Sequence, residues 1–176
     1  MKRALIDASS AILLHKAGLF DTMVSAYRLM MTPAVCREVT VEGRRGAAHF
    51  KDALRRGCIN IVQAPTEAYG DSGLSRLGAG ERDTLCAYRG GGVDFVILDD
   101  RKGVAFCRSG AIPHINALLC PKILHWAGHL DRSARARAIA CLLDEGRYGR
   151  YVIDFAMKSD VQRLRVFLPD SGEFPP

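Results

Sequence analysis

The chain has 176 residues, 48% hydrophobic and 25% charged, a balance that suits one folded domain and lies far from that of a disordered segment. Its formal charge of +6 permits a polyanionic partner without requiring one. No apolar run approaches the ~20 residues of a membrane helix, no cleavable leader is expected, and six scattered cysteines without a CxxC pair read as reduced thiols; a cytoplasmic protein with no membrane partner is expected.

Residues 3–6 predict a short buried strand that ends in Asp7, and the serines of Asp7-Ala8-Ser9-Ser10 can cap the helix carrying Ala11, Ile12 and Leu14. Gly18 closes that helix, Asp21 is placed to cap another over residues 22–29, and Met30-Met31 predicts a brief strand. Thr32-Pro33, a capping residue followed by proline, predicts a helix over residues 34–41 with Glu38 in its second turn. A break at Gly43-Arg44-Arg45-Gly46 precedes a basic amphipathic helix over residues 47–56, a strand over 58–62 and a loop over 63–74.

The most informative stretch is residues 77–103. Gly78 and Gly80 lead into a helix opening with Glu81 and Asp83; Gly90 to Gly92 break it, and an apolar run over residues 93–98 ends in Asp99-Asp100. A short helix over residues 104–108, a strand over 112–115 and helices over 117–126 and 134–143 follow. This alternation predicts an α/β fold, a wound, mainly parallel sheet flanked by helices. Residues 1–150 are expected to form a single domain, and residues 151–176 a C-terminal extension packed on or trailing it, helical over 151–168 and frayed over 169–176.

If both acid-terminated strands share one parallel sheet, Asp7 and Asp99/Asp100 emerge at the same edge, where α/β sheets gather their ligands. Several carboxylates converging there, with Glu38, Glu81 and Asp83, would repel one another unless a divalent cation neutralised them. Mg²⁺ or Mn²⁺ suits such oxygen donors, and a phosphodiester is the natural substrate of metal-assisted in-line displacement.

Taken in order, Asp7-Ala8-Ser9-Ser10, Thr32-Pro33-Ala34-Val35-Cys36-Arg37-Glu38-Val39, Leu77-Gly78-Ala79-Gly80-Glu81-Arg82-Asp83 and Val96-Ile97-Leu98-Asp99-Asp100-Arg101 resemble the landmarks of PIN-domain proteins, closest to the prokaryotic branch related to VapC-type toxins. The resemblance implies a metal-dependent endoribonuclease cleaving RNA to leave a 5′-phosphate and a 3′-hydroxyl, often a homodimer and often inhibited by a cognate antitoxin protein. It implies Asp7 as the first acid, Glu38 as the second, Asp83 or Glu81 as the third and Asp100 or Asp99 as the fourth, with Ser9 as the supporting small polar residue. Arg82 departs from the branch, which commonly has a small residue between the two acids of that motif.

Blander readings stand beside these. Asp7 suits a strand-end turn or a helix cap, Asp99-Asp100 a turn, Glu38 a solvated helix face, and Glu81 and Asp83 the positive end of a helix. His125 and His129 with Cys120 sketch a zinc site, but Gly128 interrupts the helix between them and surface or packing histidines fit better. The basic run Arg44, Arg45, Lys51, Arg55 and Arg56 is either a solvated face or a rim for phosphate or an acidic partner, while Arg101 and Lys102 sit closer to the acids. Two rival functions remain in view: a catalytically inactive PIN-like module that binds RNA or protein, and an aspartate-nucleophile phosphatase, against which Ser9 stands where a second acid is usual.

Overall fold

The computed structural model describes residues 1–65 and 74–170. β1 (Arg3–Ile6) is flanked on one side by β2 (Arg28–Met31) and β3 (Asn60–Ile61) and on the other by β4 (Phe95–Ile97) and β5 (His114–Ile115). The result is a five-stranded sheet of order β3-β2-β1-β4-β5, with every neighbouring pair parallel. The chain builds outward from β1 to β3 and then crosses back to lay β4 against the other side of β1. Winding therefore reverses between β1 and β4, and the crevice outside their carboxyl ends is where such sheets bind ligands. Ile6 pairs with Ile97, and the Asp7 N–H donates to the Ile97 carbonyl at 3.1 Å, so the ladder runs right up to the acids.

Helices cover both faces of the sheet, as parallel strands require. Phe95 and Ile97 of β4 enter the larger core with Leu14, Phe20, Met23, Val35, Phe50, Ile123 and Leu142. These come from α1 (Ala8–Lys16), α2 (Phe20–Ala26), α3 (Pro33–Val39), α4 (Ala47–Arg55), α7 (Cys120–Trp126) and α8 (Arg132–Glu145). The alternate residues Val96 and Leu98 join a smaller core with Leu85 and Cys86 of α5 (Ala79–Arg89) and Cys107 of α6 (Arg101–Ser109). All six cysteines are free thiols.

Boundaries differ from the sequence reading where capping and pairing override periodicity. β2 begins at Arg28 because its register with Arg3 of β1 ends α2 at Ala26, earlier than the helix expected over residues 22–29. Asp21 lies in the first turn of α2, whose N-cap is Leu19. Asp100 caps α6, with its carboxylate accepting from the Lys102 and Gly103 N–H groups, so that helix starts at Arg101 rather than 104. The helix expected over residues 117–126 begins as a 3₁₀ turn (Ala117–Leu119), since Pro121 is tolerated only in the first turn of α7. Most of the predicted 63–74 loop lies outside the described residues; Leu74–Arg76 forms a 3₁₀ turn.

The C-terminal region is broken where one helix was expected. α9 (Arg150–Lys158) ends at extended Ser159, and Asp160 caps the short α10 (Val161–Leu164). Residues 171–176 lie outside the described residues, but Pro169 is buried and Asp170 pairs with the N-terminal amine at 2.9 Å, so the chain is packed where fraying was expected to begin. The Tyr27 hydroxyl donates to the Phe167 carbonyl at 2.7 Å, and Phe167 packs edge-on against Phe95. Lys122 closes α9 from below: its Nζ donates to the carbonyls of Ala156, Met157 and Ser159 at 2.8, 2.9 and 2.6 Å. Among the described residues no helix is long and apolar enough to cross a membrane.

Charged hydrogen bonds to otherwise orphaned carbonyls are worth about 1.5–3 kcal/mol. Lys122→Met, which keeps the stem and removes the charge, is expected to lower stability by about that much. Urea unfolding midpoints measure it, and an unchanged midpoint would show that α9 does not depend on this clasp.

Candidate active site

Asp7 follows β1 directly and caps α1, which fixes its carboxylate at the mouth of the β1/β4 crevice. Its Oδ1 accepts from the Ser10 N–H at 2.8 Å and its Oδ2 from the Ser9 hydroxyl at 2.7 Å. Only 2% of Asp7 is exposed. On the neighbouring strand, one residue past Leu98, Asp99 turns inward: its Oδ2 accepts from the Ser10 hydroxyl at 2.7 Å and the Ala117 N–H at 3.1 Å. Ser10, fully buried, thus binds both carboxylates, one through its backbone and one through its side chain.

Burial, and then the charge of Asp99, push the Asp7 carboxyl up to about 7, although the serine hydrogen bonds oppose the rise. Asp99 is raised as well, by burial, against hydrogen bonding from Ser10 and Ala117 and the nearby Tyr148 hydroxyl. Asp99 Oδ1 and the Tyr148 hydroxyl are both buried without a regular hydrogen-bond partner, so the Tyr148–Asp99 contact is electrostatic and loosely aligned. Burial and the Asp99 charge raise the Tyr148 phenol, which stays protonated.

A second acidic group stands outside this pair. Glu81 Oε2 accepts from the Gly78 N–H at 2.6 Å at the start of α5. Burial raises the Glu81 carboxyl, and the nearby charges of Asp100 and Glu38 add to the rise while the Gly78 N–H and Lys102 oppose it. Glu38, half-exposed on α3, reaches this end of α5, where a Cβ at Gly80 would stand 3.3 Å from Glu38 Oε2. Glu38 also pairs with Arg44 at 3.4 Å. Asp83, two positions beyond Glu81 on α5, points elsewhere around the helix and does not line the cavity described next.

The two groups meet at a cavity of about 320 Å³, walled by Ser9, Glu81, Asp99 and Asp100 together with Glu145, Arg147 and Tyr148. Glu145 is held by Lys16 at 2.7 Å. Of the six acids marked by the sequence, the structure brings Asp7 and Asp99 into one buried pair and Glu38, Glu81 and Asp100 into one outer group, while Asp83 does not line the cavity. Hard oxygen donors and a buried, unpartnered Asp99 Oδ1 fit a divalent cation chemically. Among the described residues, however, no three His, Cys, Asp or Glu side chains are arranged to hold one ion jointly. His125 instead has its Nδ1 on the Leu130 carbonyl at 2.8 Å, and His129 is exposed, so these two histidines and Cys120 form no zinc site.

Sequence reasoning took the serines after Asp7 as helix caps, whereas Asp7 is the cap and Ser10 bridges the two acids. It missed Tyr148 and Arg147, and nothing near them announces the site, because they reach it only through the C-terminal packing.

The buried pair gives stability a definite pH dependence. Between the ordinary value of 3.8 and about 7, native Asp7 keeps a proton that the unfolded chain has released, so stability falls as pH rises through this window and levels off above it. Asp7→Asn keeps the cap and removes the charge. It is expected to flatten the profile and to exceed wild-type stability at pH 8 by an amount on the order of a few kcal/mol. Urea midpoints at pH 4, 6 and 8 test this, and a variant with the wild-type slope would show that Asp7 ionises freely.

No curated protein and no solved structure matches the chain, but a family model described as PIN domain matches residues 3–119. That span takes in all five strands and Asp7, Glu38, Glu81, Asp99 and Asp100, and the chain belongs to the PIN-domain family, whose fold is commonly that of a nuclease.

Proposed function

We propose that this protein is a Mg²⁺- or Mn²⁺-dependent endoribonuclease that hydrolyses RNA phosphodiesters. The observation that carries the reading is the buried Asp7–Asp99 pair, unneutralised by any cationic side chain among the described residues, behind a cavity that also takes in Glu81 and Asp100. Asp99, Asp100 and Glu81 would hold the ion from the cavity wall, with Asp7 behind them and Glu38 at the rim. Once bound, such an ion supplies Lewis acidity toward a phosphoryl oxygen and lowers the pKa of water.

The rest of the chemistry belongs to the chain itself. Ser9 lines the cavity and donates a hydrogen bond to Asp7 Oδ2, which leaves the lone pairs of the serine oxygen as acceptors toward the cavity. Burial and the Asp99 charge raise the Asp7 carboxyl, so a cation bound beside the pair would relieve the strain that the two acids place on each other. Arg147, on the same wall, is placed to face a phosphate.

A toxin role, with an antitoxin and a homodimer as its partners in the cytoplasm, rests on the likeness of the four motifs to the VapC-related branch. Three observations favour a second reading, an inactive module that binds RNA or protein: among the described residues no three acids are arranged to hold one ion, Asp100 Oδ1 is bound by its own helix, and Glu38 is paired with Arg44.

Cleavage of a single-stranded RNA in Mn²⁺ and its absence in EDTA are expected, with Asp99→Asn at least about 100-fold slower. Calorimetry of Mn²⁺ against both proteins separates the two readings. An isotherm weakened in Asp99→Asn supports the nuclease; no isotherm and no cleavage by the wild type would leave the binding module.

A further inference from the structure

Beside the acid cavity lies a larger groove, of about 640 Å³, between α6 and α9. Asp99, Arg147 and Tyr148 line both spaces, so the groove is continuous with the acid mouth. Its α6 wall presents Arg101, Val104 and Arg108, three positions on one helical face. Its α9 wall presents Tyr151, Val152 and Phe155, and Ile115 and Leu119 complete an apolar floor. One wall of this groove, from Arg147 to Phe155, therefore comes from residues beyond the 3–119 span of the family match.

The charges are what select an occupant. Arg3, Arg44, Arg55 and Arg56 each pair with a carboxylate, whereas among the described residues Arg101, Arg108 and Arg147 pair with none. Three uncommitted guanidinium groups around a space with one carboxylate at its inner end make a site for several phosphates in a row. The rings divide in the same way. Arg163 covers Phe155 at 4.6 Å, while Tyr151 is 69% exposed and no side chain among the described residues stacks on it. An open aromatic ring beside a phosphate track is how proteins hold unpaired bases, because a duplex keeps its base faces buried against one another. The clasp of Lys122 on the last carbonyls of α9 fixes this wall in place.

We propose that the α6–α9 groove is a subsite for single-stranded RNA, in which Arg101, Arg108 and Arg147 hold successive phosphates and Tyr151 stacks on a base flanking the nucleotide at the acid mouth. The choice of RNA rests on the ribonuclease reading; the groove's preference for an unpaired polynucleotide does not.

Fluorescence anisotropy of a labelled ten-nucleotide single-stranded RNA, in EDTA with the full chain, tests it. Tyr151→Ala is expected to weaken binding about 5- to 150-fold. Arg108→Ala is expected to weaken it and to reduce the slope of log affinity against log salt by about one. Both side chains are exposed, so thermal melts should match wild type, and Arg132→Ala on α8 should bind as wild type does. Wild-type affinity in both groove variants, or competition by a duplex or by a mononucleotide as effective as by the single strand, would overturn the subsite. The nuclease reading fails separately: groove-dependent binding without cleavage in Mn²⁺ removes the nuclease and keeps the subsite, and cleavage unaffected by Tyr151→Ala and Arg108→Ala does the reverse.

Discussion

Two carboxylates buried side by side are an expensive thing to fold, and Ser10 is what makes it possible here. Its N–H serves Asp7 and its hydroxyl serves Asp99, so one residue on the first turn of α1 satisfies an oxygen of each. The sheet order forces the juxtaposition: with β4 paired in parallel to β1, the residues following both strands must emerge together. Burial and mutual repulsion are then only partly offset by hydrogen bonds, as the raised carboxyl of Asp7 registers. Surplus negative charge is thereby stored at one point of a chain whose formal charge is +6. Because the site is set by strand pairing and a helix cap rather than by a flexible loop, its acids are held before any ligand arrives.

The architecture was legible because its signals are local. Apolar runs bounded by glycine, the Thr32-Pro33 entry and the acid at each strand end are all read within a few residues, and these place Asp7 and Asp99 at one edge. The doublets were not resolvable in the same way. Asp99 and Asp100 look alike in sequence, yet one turns toward Ser10 and Ala117 while the other caps α6, a division decided by how the chain leaves β4. Glu81 and Asp83 separate by helical phase, which becomes informative only once the face of α5 turned to the cavity is known. Tyr148 and Arg147 lie nearly fifty residues past Asp99 and come to it through α8 and α9, contacts that no short window of sequence contains.

The C-terminal segment illustrates the same limit from the other side. Its apolar periodicity was visible, but the break at Ser159-Asp160 depends on two capping side chains, and its anchorage depends on Lys122, Tyr27 and Lys2 reaching its carbonyls from distant elements. Such bonds bind backbone groups, and so leave little trace in the side chains of the segment they hold.

Placing a basic groove against an acidic cavity has an electrostatic consequence for any polyanion. The acid mouth alone repels a phosphate, since Asp7, Asp99, Asp100 and Glu81 outnumber the single arginine on its wall. Attraction has to come from beside it, and Arg101 and Arg108 on α6 lie beyond the acids while Arg147 stands between the two spaces. A strand drawn in by those arginines has one phosphate carried over the carboxylates by its covalent continuity with the others, a position it would not take as a free ion. Cation neutralisation of the acids and capture of the strand are then separate requirements met by separate elements, β1/β4 with α5 for the first and α6 with α9 for the second. A protein that lost the first would still keep the second, so the acid site and the groove can each be judged by its own measurement.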